Sequence, residues 1–222
     1  MSEPPQTNIA VNFNNIHNII TRGLKVSIEG VQAVMEHGFQ DESHREGLFN
    51  YIRALSSILN SHHLTEDEIA FPYFRELLPE APFDKLMYWH QEMVKMLDEI
   101  KLALEKCAKN DQLEMNLGNL LEELTRLYDT WRPHIQSEAV EFISKADALV
   151  SVEEQIRLVG QFSEYGVKTA LPHPLTVPFL LYNLPPEDRL VFSKDMPAEI
   201  VQHLVPVVWK DQWASMLPFF LA

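Results

Sequence analysis

Between Phe13 and about Leu149 apolar residues recur at steps of three and four, the period of a helix with one buried face. The first stripe runs Phe13, Ile20, Leu24, Ile28, Val31 and Met35, with Asn14 or Asn15 placed to cap the helix and Glu36 near its end. GFQDES at 38–43 makes a break, and Ser43 is a candidate cap for a second helix from about His44 to Leu77. That helix carries Leu48, Ile52, Leu55, Leu59, Ile69 and Tyr73, is interrupted near Pro72 and ends at LPEAP, 78–82. A third spans Phe83 to about Lys109, with Leu86, Met93, Leu97, Ile100 and Leu104 on one side. After the AKNDQ turn a fourth runs from Leu113 to about Leu149 through Leu120, Leu124, Leu127, Trp131 and Phe142, with a kink expected at Pro133. Long helices joined by short connections pack antiparallel, so the expected fold is all-α: an up-down four-helix bundle. No strand alternation competes with it.

From Leu171 the texture changes. Eight of the 14 prolines fall in 171–222, among many large apolar residues. The segment is too hydrophobic for a disordered tail, so it is expected to be a Pro-rich, partly helical extension packed on the bundle. The expected domains are therefore 11–150 for the bundle and 151–222 for the extension. Residues 1–10 read as a polar tail.

The net charge of −14 argues against nucleic acid and anionic membranes as partners, because both select clustered Lys and Arg. A single cysteine, Cys107, makes an intrachain disulfide framework impossible and suits a reducing compartment. With no secretory signal and no run of about 18 apolar residues, the expected location is cytoplasmic.

The stripes are interrupted by polar residues in a pattern. His17 sits on the first seam, His62 and Glu66 on the second, His90 on the third, and His134 and Glu138 on the fourth. Both His-x-x-x-Glu pairs lie four residues apart, so each pair points one way. On the second helix this occurs within SHHLTEDEIAFP (61–72), where His63, Asp67 and Glu68 fall off the seam and are expected to stay solvated. Counted outward from the turns at about 1.5 Å per residue, all six seam residues fall in a layer about two helical turns thick. One inward histidine is usually a hydrogen-bonded core residue. Four, two of them paired with glutamate, call for another account. Unpaired buried charges cost several kcal/mol each, and a metal removes that penalty by binding ionised glutamate and neutral histidine. The nitrogen and carboxylate donors suit iron, manganese or zinc, and carboxylates able to bridge favour two metals.

IHNIITRGL (16–24) and SHHLTEDEIAFP, with the single His on the third helix and the His-x-x-x-Glu of the fourth, resemble the hemerythrin-like family, the HHE cation-binding domain, over roughly 13–145. The resemblance implies a non-haem di-iron site within an antiparallel four-helix bundle, two irons per chain, bridging carboxylates, and dioxygen or a related small molecule as ligand. Carried over by position, the metal ligands are His17, His62, Glu66, His90, His134 and Glu138. Oxygen-carrying members have a second histidine four residues after the first on the third helix, where this chain has Val94, and an aspartate one residue beyond Glu138. One imidazole is thus missing. Glu92, Glu141 and Glu164 are the candidate substitutes, and His173 in the Pro-rich segment is a candidate to close over the site. A site left open by that gap suits sensing, storage or iron handling, or alternatively an oxygenase- or peroxidase-type enzyme with a pocket shaped by the extension. A structural bundle holding zinc or a vestigial site is the reading from a third class. His37, His44 and His203 are expected at the surface, Cys107 inert, and Met35, Met87, Met93 and Met96 in the core.

Overall fold

The computed structural model describes residues 8–221 and is helical throughout, with no strand among them. Of the tail expected over residues 1–10, residues 1–7 lie outside the described residues. Four helices dominate: α1 (Ile9–His37), α2 (Glu42–Thr65), α4 (Phe83–Ala108) and α5 (Leu113–Glu138). They contact one another in a ring, α1 on α2, α2 on α4, α4 on α5 and α5 on α1. Between α2 and α4, a π-helical turn (Glu66–Ala70) leads into the short α3 (Phe71–Arg75). A second π turn (Ala139–Ile143) joins α5 to α6 (Ser144–Leu149). The extension contributes α7 (Val152–Thr169), α8 (His173–Tyr182), α9 (Pro186–Phe192), a π-helical segment (Ile200–Val208) and α10 (Lys210–Trp213), then a 3₁₀ stretch (Ala214–Phe219).

The helix starts differ from expectation for a chemical reason. α1 is capped by Asn8, whose Oδ1 accepts from Val11 N at 2.7 Å, nearly two turns before Asn14 and Asn15. Asp41, rather than Ser43, caps α2 by accepting from His44 N at 2.7 Å. α5 stays helical through Pro133.

The π turns alter the register of the helices beyond them. A widened turn inserts one residue, so the stripe expected at Ile69 and Tyr73 is buried one position later, at Ala70 and Phe74. The turn also precedes Pro72, a residue with no N–H to give to a regular ladder. Met93 is buried as expected, but Met35 is 44% exposed, because Val34 takes the inward place at the end of α1.

Buried apolar residues form two clusters with the polar layer between them. One contains Ile20, Leu59, Met93 and Trp131. The other contains Phe13, Phe71, Leu86 and Phe142. Elements after residue 150 cover α2: α7, α8 and the 3₁₀ stretch all pack on it. A polar clasp ties this cover down. Arg22 Nη1 donates to Tyr51 OH (3.0 Å), to Phe219 O (2.9 Å) and to Asn183 Oδ1, and Tyr51 OH donates to the same Asn183 oxygen at 2.6 Å. At Gly47 the 3₁₀ stretch comes so near that a Cβ would collide with the Ser215 carbonyl.

Candidate metal centre

Glu66 and Glu138 are fully buried at the centre of the layer, and His17, His62, His90 and His134 surround them. Each helix delivers its share by ordinary helical spacing: the i, i+4 pairs of α2–π and α5 put imidazole and carboxylate side by side. His62 Nε2 lies 3.5 Å from a Glu66 oxygen, and His134 Nε2 lies 3.3 Å from a Glu138 oxygen. The single histidines close the ring. His17 Nε2 is 3.2 Å from Glu138, and His90 Nε2 is 3.3 Å from Glu66 and 3.9 Å from Glu138. All six residues named from the sequence are brought together.

Their donor atoms form two overlapping groups, each with every atom within 4.8 Å of the others: His17, His62, Glu66, Glu138 and Glu66, His90, His134, Glu138. Both carboxylates belong to both groups. The donor set also has the mark of a cation site. His90 Nε2 and His134 Nε2 approach to 3.3 Å, while His17 Nε2, His62 Nε2 and the Glu66 and Glu138 oxygens have no hydrogen-bond partner among the described residues. Buried polar atoms are almost always partnered, so this concentration of exceptions fits ligands converging on cations. Neutral imidazoles and carboxylates are donors that iron, manganese and zinc accept.

Two further residues belong here, and both were expected in solvent. His63 is buried, with its ring stacked on His90 at 4.0 Å between centroids and both nitrogens unpartnered. Its donor atom forms a third group with those of His90 and His134. Asp67 is half-buried, and its Oδ1 accepts from His90 Nδ1 at 2.7 Å. That bond puts the proton on Nδ1 and frees Nε2 to face the two glutamates. Glu68 is exposed as expected.

The surroundings exclude water and set the charges. Trp131, fully buried, donates from Nε1 to Thr21 Oγ1 and lies 5.4 to 5.8 Å from the rings of His17, His62 and His134. From the other cluster, Phe71 stacks on His90 and Phe13 stands edge-on to His17 and His62. Burial holds His62 and His63 well below the usual imidazole range and brings His134 down to about 4. Burial pulls His90 the same way, but its hydrogen bond to Asp67 and the Glu138 and Glu66 carboxylates beside it outweigh this and push it up to about 11. Burial, with the Glu138 charge, raises Glu66 well above the carboxylate range. Glu138 resists the same burial and is held low by His134 and His17. In the absence of metal these surroundings favour the protonated forms of His90 and Glu66.

The other candidates are not among the converging donors. Val94 is 37% exposed. Glu92 pairs with Lys95 at 2.6 Å, Glu164 with Lys168 at 2.7 Å, and Glu141 accepts from Ser137 at 2.7 Å. His173 Nε2 donates to Val167 O at 2.8 Å. His37 and His203 are exposed, but His44 is half-buried, its ring 5.4 Å from Phe219. Cys107 is free and buried, and burial pushes its thiol up, as for an inert side chain.

This fold and donor set define a helical cation-binding protein. The chain matches the family described as the hemerythrin HHE cation binding domain over residues 10–146, well over half its length, and belongs to that family. No curated protein and no solved structure matches it.

Proposed function

We propose that the protein holds two irons in this layer and binds dioxygen or a related small molecule there, for sensing, storage or iron handling. The observation that carries the reading is the sharing of Glu66 and Glu138 between both donor groups, the arrangement a bridged metal pair requires. His17 and His62 would complete one metal, and His90 and His134 the other. His63 is the imidazole available in place of the one absent at Val94, since it joins the His90–His134 group with both nitrogens unpartnered. An iron pair, when bound, supplies electron exchange with dioxygen; the protein's part is a dry enclosure, fixed donors and Asp67 orienting His90. The fold in this reading is an antiparallel up-down bundle spanning 11–150, with 151–222 as its extension. In support, α1 and α4 run from the Phe13–Leu86 cluster toward the Ile20–Met93 cluster, while α2 and α5 run the opposite way.

Protein purified from iron-supplied cells should carry close to two irons per chain by elemental analysis and show the near-ultraviolet absorption of a coupled ferric pair. Glu66→Gln should reduce the count below one, because the carboxylate serves both sites, whereas His63→Leu should leave about one iron resistant to a chelator. A folded wild-type protein that takes up no iron under these conditions sinks the proposal.

One observation favours a second reading, oxygen-dependent chemistry on an organic substrate: a cavity reaches His62 and Glu66. Oxygen consumption that depends on both iron and a cavity-bound compound would establish it.

A further inference from the structure

That cavity has a volume of about 250 Å³ and lies between the α1–α2 face and the extension. Its walls include Ile16 and Ile58 from the first two helices and Phe162, Leu180, Phe192 and Trp209 from the extension. It opens partly to solvent, and a mostly apolar lining with a few polar groups is the make-up of a small-molecule site. Along its apolar wall, water finds few of the two to four polar partners that hold an ordered water in place. Several polar groups around the cavity are already committed. Ser61 Oγ shares a hydrogen bond with Thr169 Oγ1 at 2.6 Å, Thr65 Oγ1 donates to Ser61 O at 2.8 Å, and His173 Nε2 donates to Val167 O at 2.8 Å. Among the buried lining atoms, those without a partner are His62 Nε2 and the Glu66 oxygens.

Size and charge narrow the occupant. A cavity of about 150 Å³ lined by apolar side chains holds benzene, so 250 Å³ scales to about ten non-hydrogen atoms. Among the described residues no lysine or arginine lines this cavity, so a carboxylate or phosphate headgroup would be buried without a counter-charge. We infer that the cavity binds a neutral, largely apolar organic molecule of about ten non-hydrogen atoms, alkyl or aryl, and presents one end of it to the His62–Glu66 side of the metal centre. Occupancy of the cavity is independent of the metal; its role as a substrate pocket rests on the di-iron reading. The extension thereby acquires a purpose, since it supplies most of the wall.

Gly166 gives the test. A Cβ at this position on α7 meets nothing nearer than Ser61 Oγ at 4.0 Å, and Gly166 lines the cavity, so Gly166→Leu has room for its Cβ, takes up cavity space and improves the helix. Calorimetric titration of the iron-loaded full chain with 1-octanol should give saturable one-to-one binding with a negative heat-capacity change. Octanoate should bind at least tenfold more weakly, and Gly166→Leu should weaken octanol at least tenfold while keeping its melting temperature and iron content. Octanol should also shift the absorption of the iron-loaded protein. No saturable binding by the wild type, equal binding by Gly166→Leu, or a preference for octanoate overturns the cavity's assignment, and binding without a spectral shift overturns its placement beside the centre. Iron counted in the same samples separates the two ideas. Octanol binding to a chain that holds no iron leaves the cavity standing and removes the metal reading, and two irons without octanol binding do the reverse.

Discussion

At the scale of single residues, Asp67 shows how a charge outside the donor set shapes it. A carboxylate only accepts, so its 2.7 Å bond to His90 fixes which ring nitrogen carries the proton. Asp67→Asn keeps the shape but removes the charge. It is expected to weaken metal retention about 10- to 100-fold, as loss of a histidine-orienting carboxylate does elsewhere. Competition with a chelator, read beside a circular-dichroism control for folding, measures this; unchanged retention would show that the bond does not orient the ligand. The six donors were legible in the letters because each interrupts an otherwise apolar stripe. His63 and Asp67 were not, for a physical reason. A single 3–4 stripe suits a helix with one buried side, but α2 is enclosed by α1, α4, α7, α8 and the 3₁₀ stretch, so its flank at His63 is buried as well.

At the scale of elements, both His-x-x-x-Glu pairs end at a π turn, one beginning at Glu66 and the other directly after Glu138. Such turns are rare and gather at functional sites. Here they let each carboxylate face the layer while the chain beyond re-enters the Phe71–Phe142 cluster in a new register. Counting by threes and fours loses phase there, which is why Ala70 and Phe74 were missed where Ile69 and Tyr73 were expected. The contact of α2 with the 3₁₀ stretch is equally specific. Gly47 leaves no room for a methyl group against the Ser215 backbone, which cannot swing aside as a side chain can. Gly47→Ala should lower stability by about 1–3 kcal/mol through overpacking. It should also make the segment after Ala214 more sensitive to limited proteolysis, with iron content retained. Were the variant as stable as the parent, the close docking of this segment would be wrong. The extension was readable as a packed, apolar and partly helical segment, but not its partner: periodicity reports that a face is buried and is silent on what buries it.

At the scale of the whole molecule, the protonation of the layer ties stability to pH and metal together. In the metal-free protein His62, His63 and His134 sit below their unfolded values, so the unfolded chain takes up protons first as pH falls below about 6.5. The stability that depends on them is present above that pH and is lost progressively as pH falls, the His134 share being gone by about 4 and the His62 and His63 shares lower still. His90 works in the opposite sense. Its pKa is raised to about 11, so its contribution is complete below about 6.5 and declines as pH rises toward 11. Glu66, also raised, adds to that alkaline loss. Metal-free protein should therefore melt highest near neutrality and lower on either side. Metal replaces the protons on His90 and Glu66, so the stabilisation it brings should grow with pH. Melting curves of metal-free and iron-loaded protein at about pH 5.5, 7 and 8.5 read this directly, with a widening gap expected on the alkaline side. A metal-free protein whose melting point ignored pH over this range would mean that these imidazoles and carboxylates are hydrated in solution, and with that the dry, shared layer on which the metal reading depends would be lost.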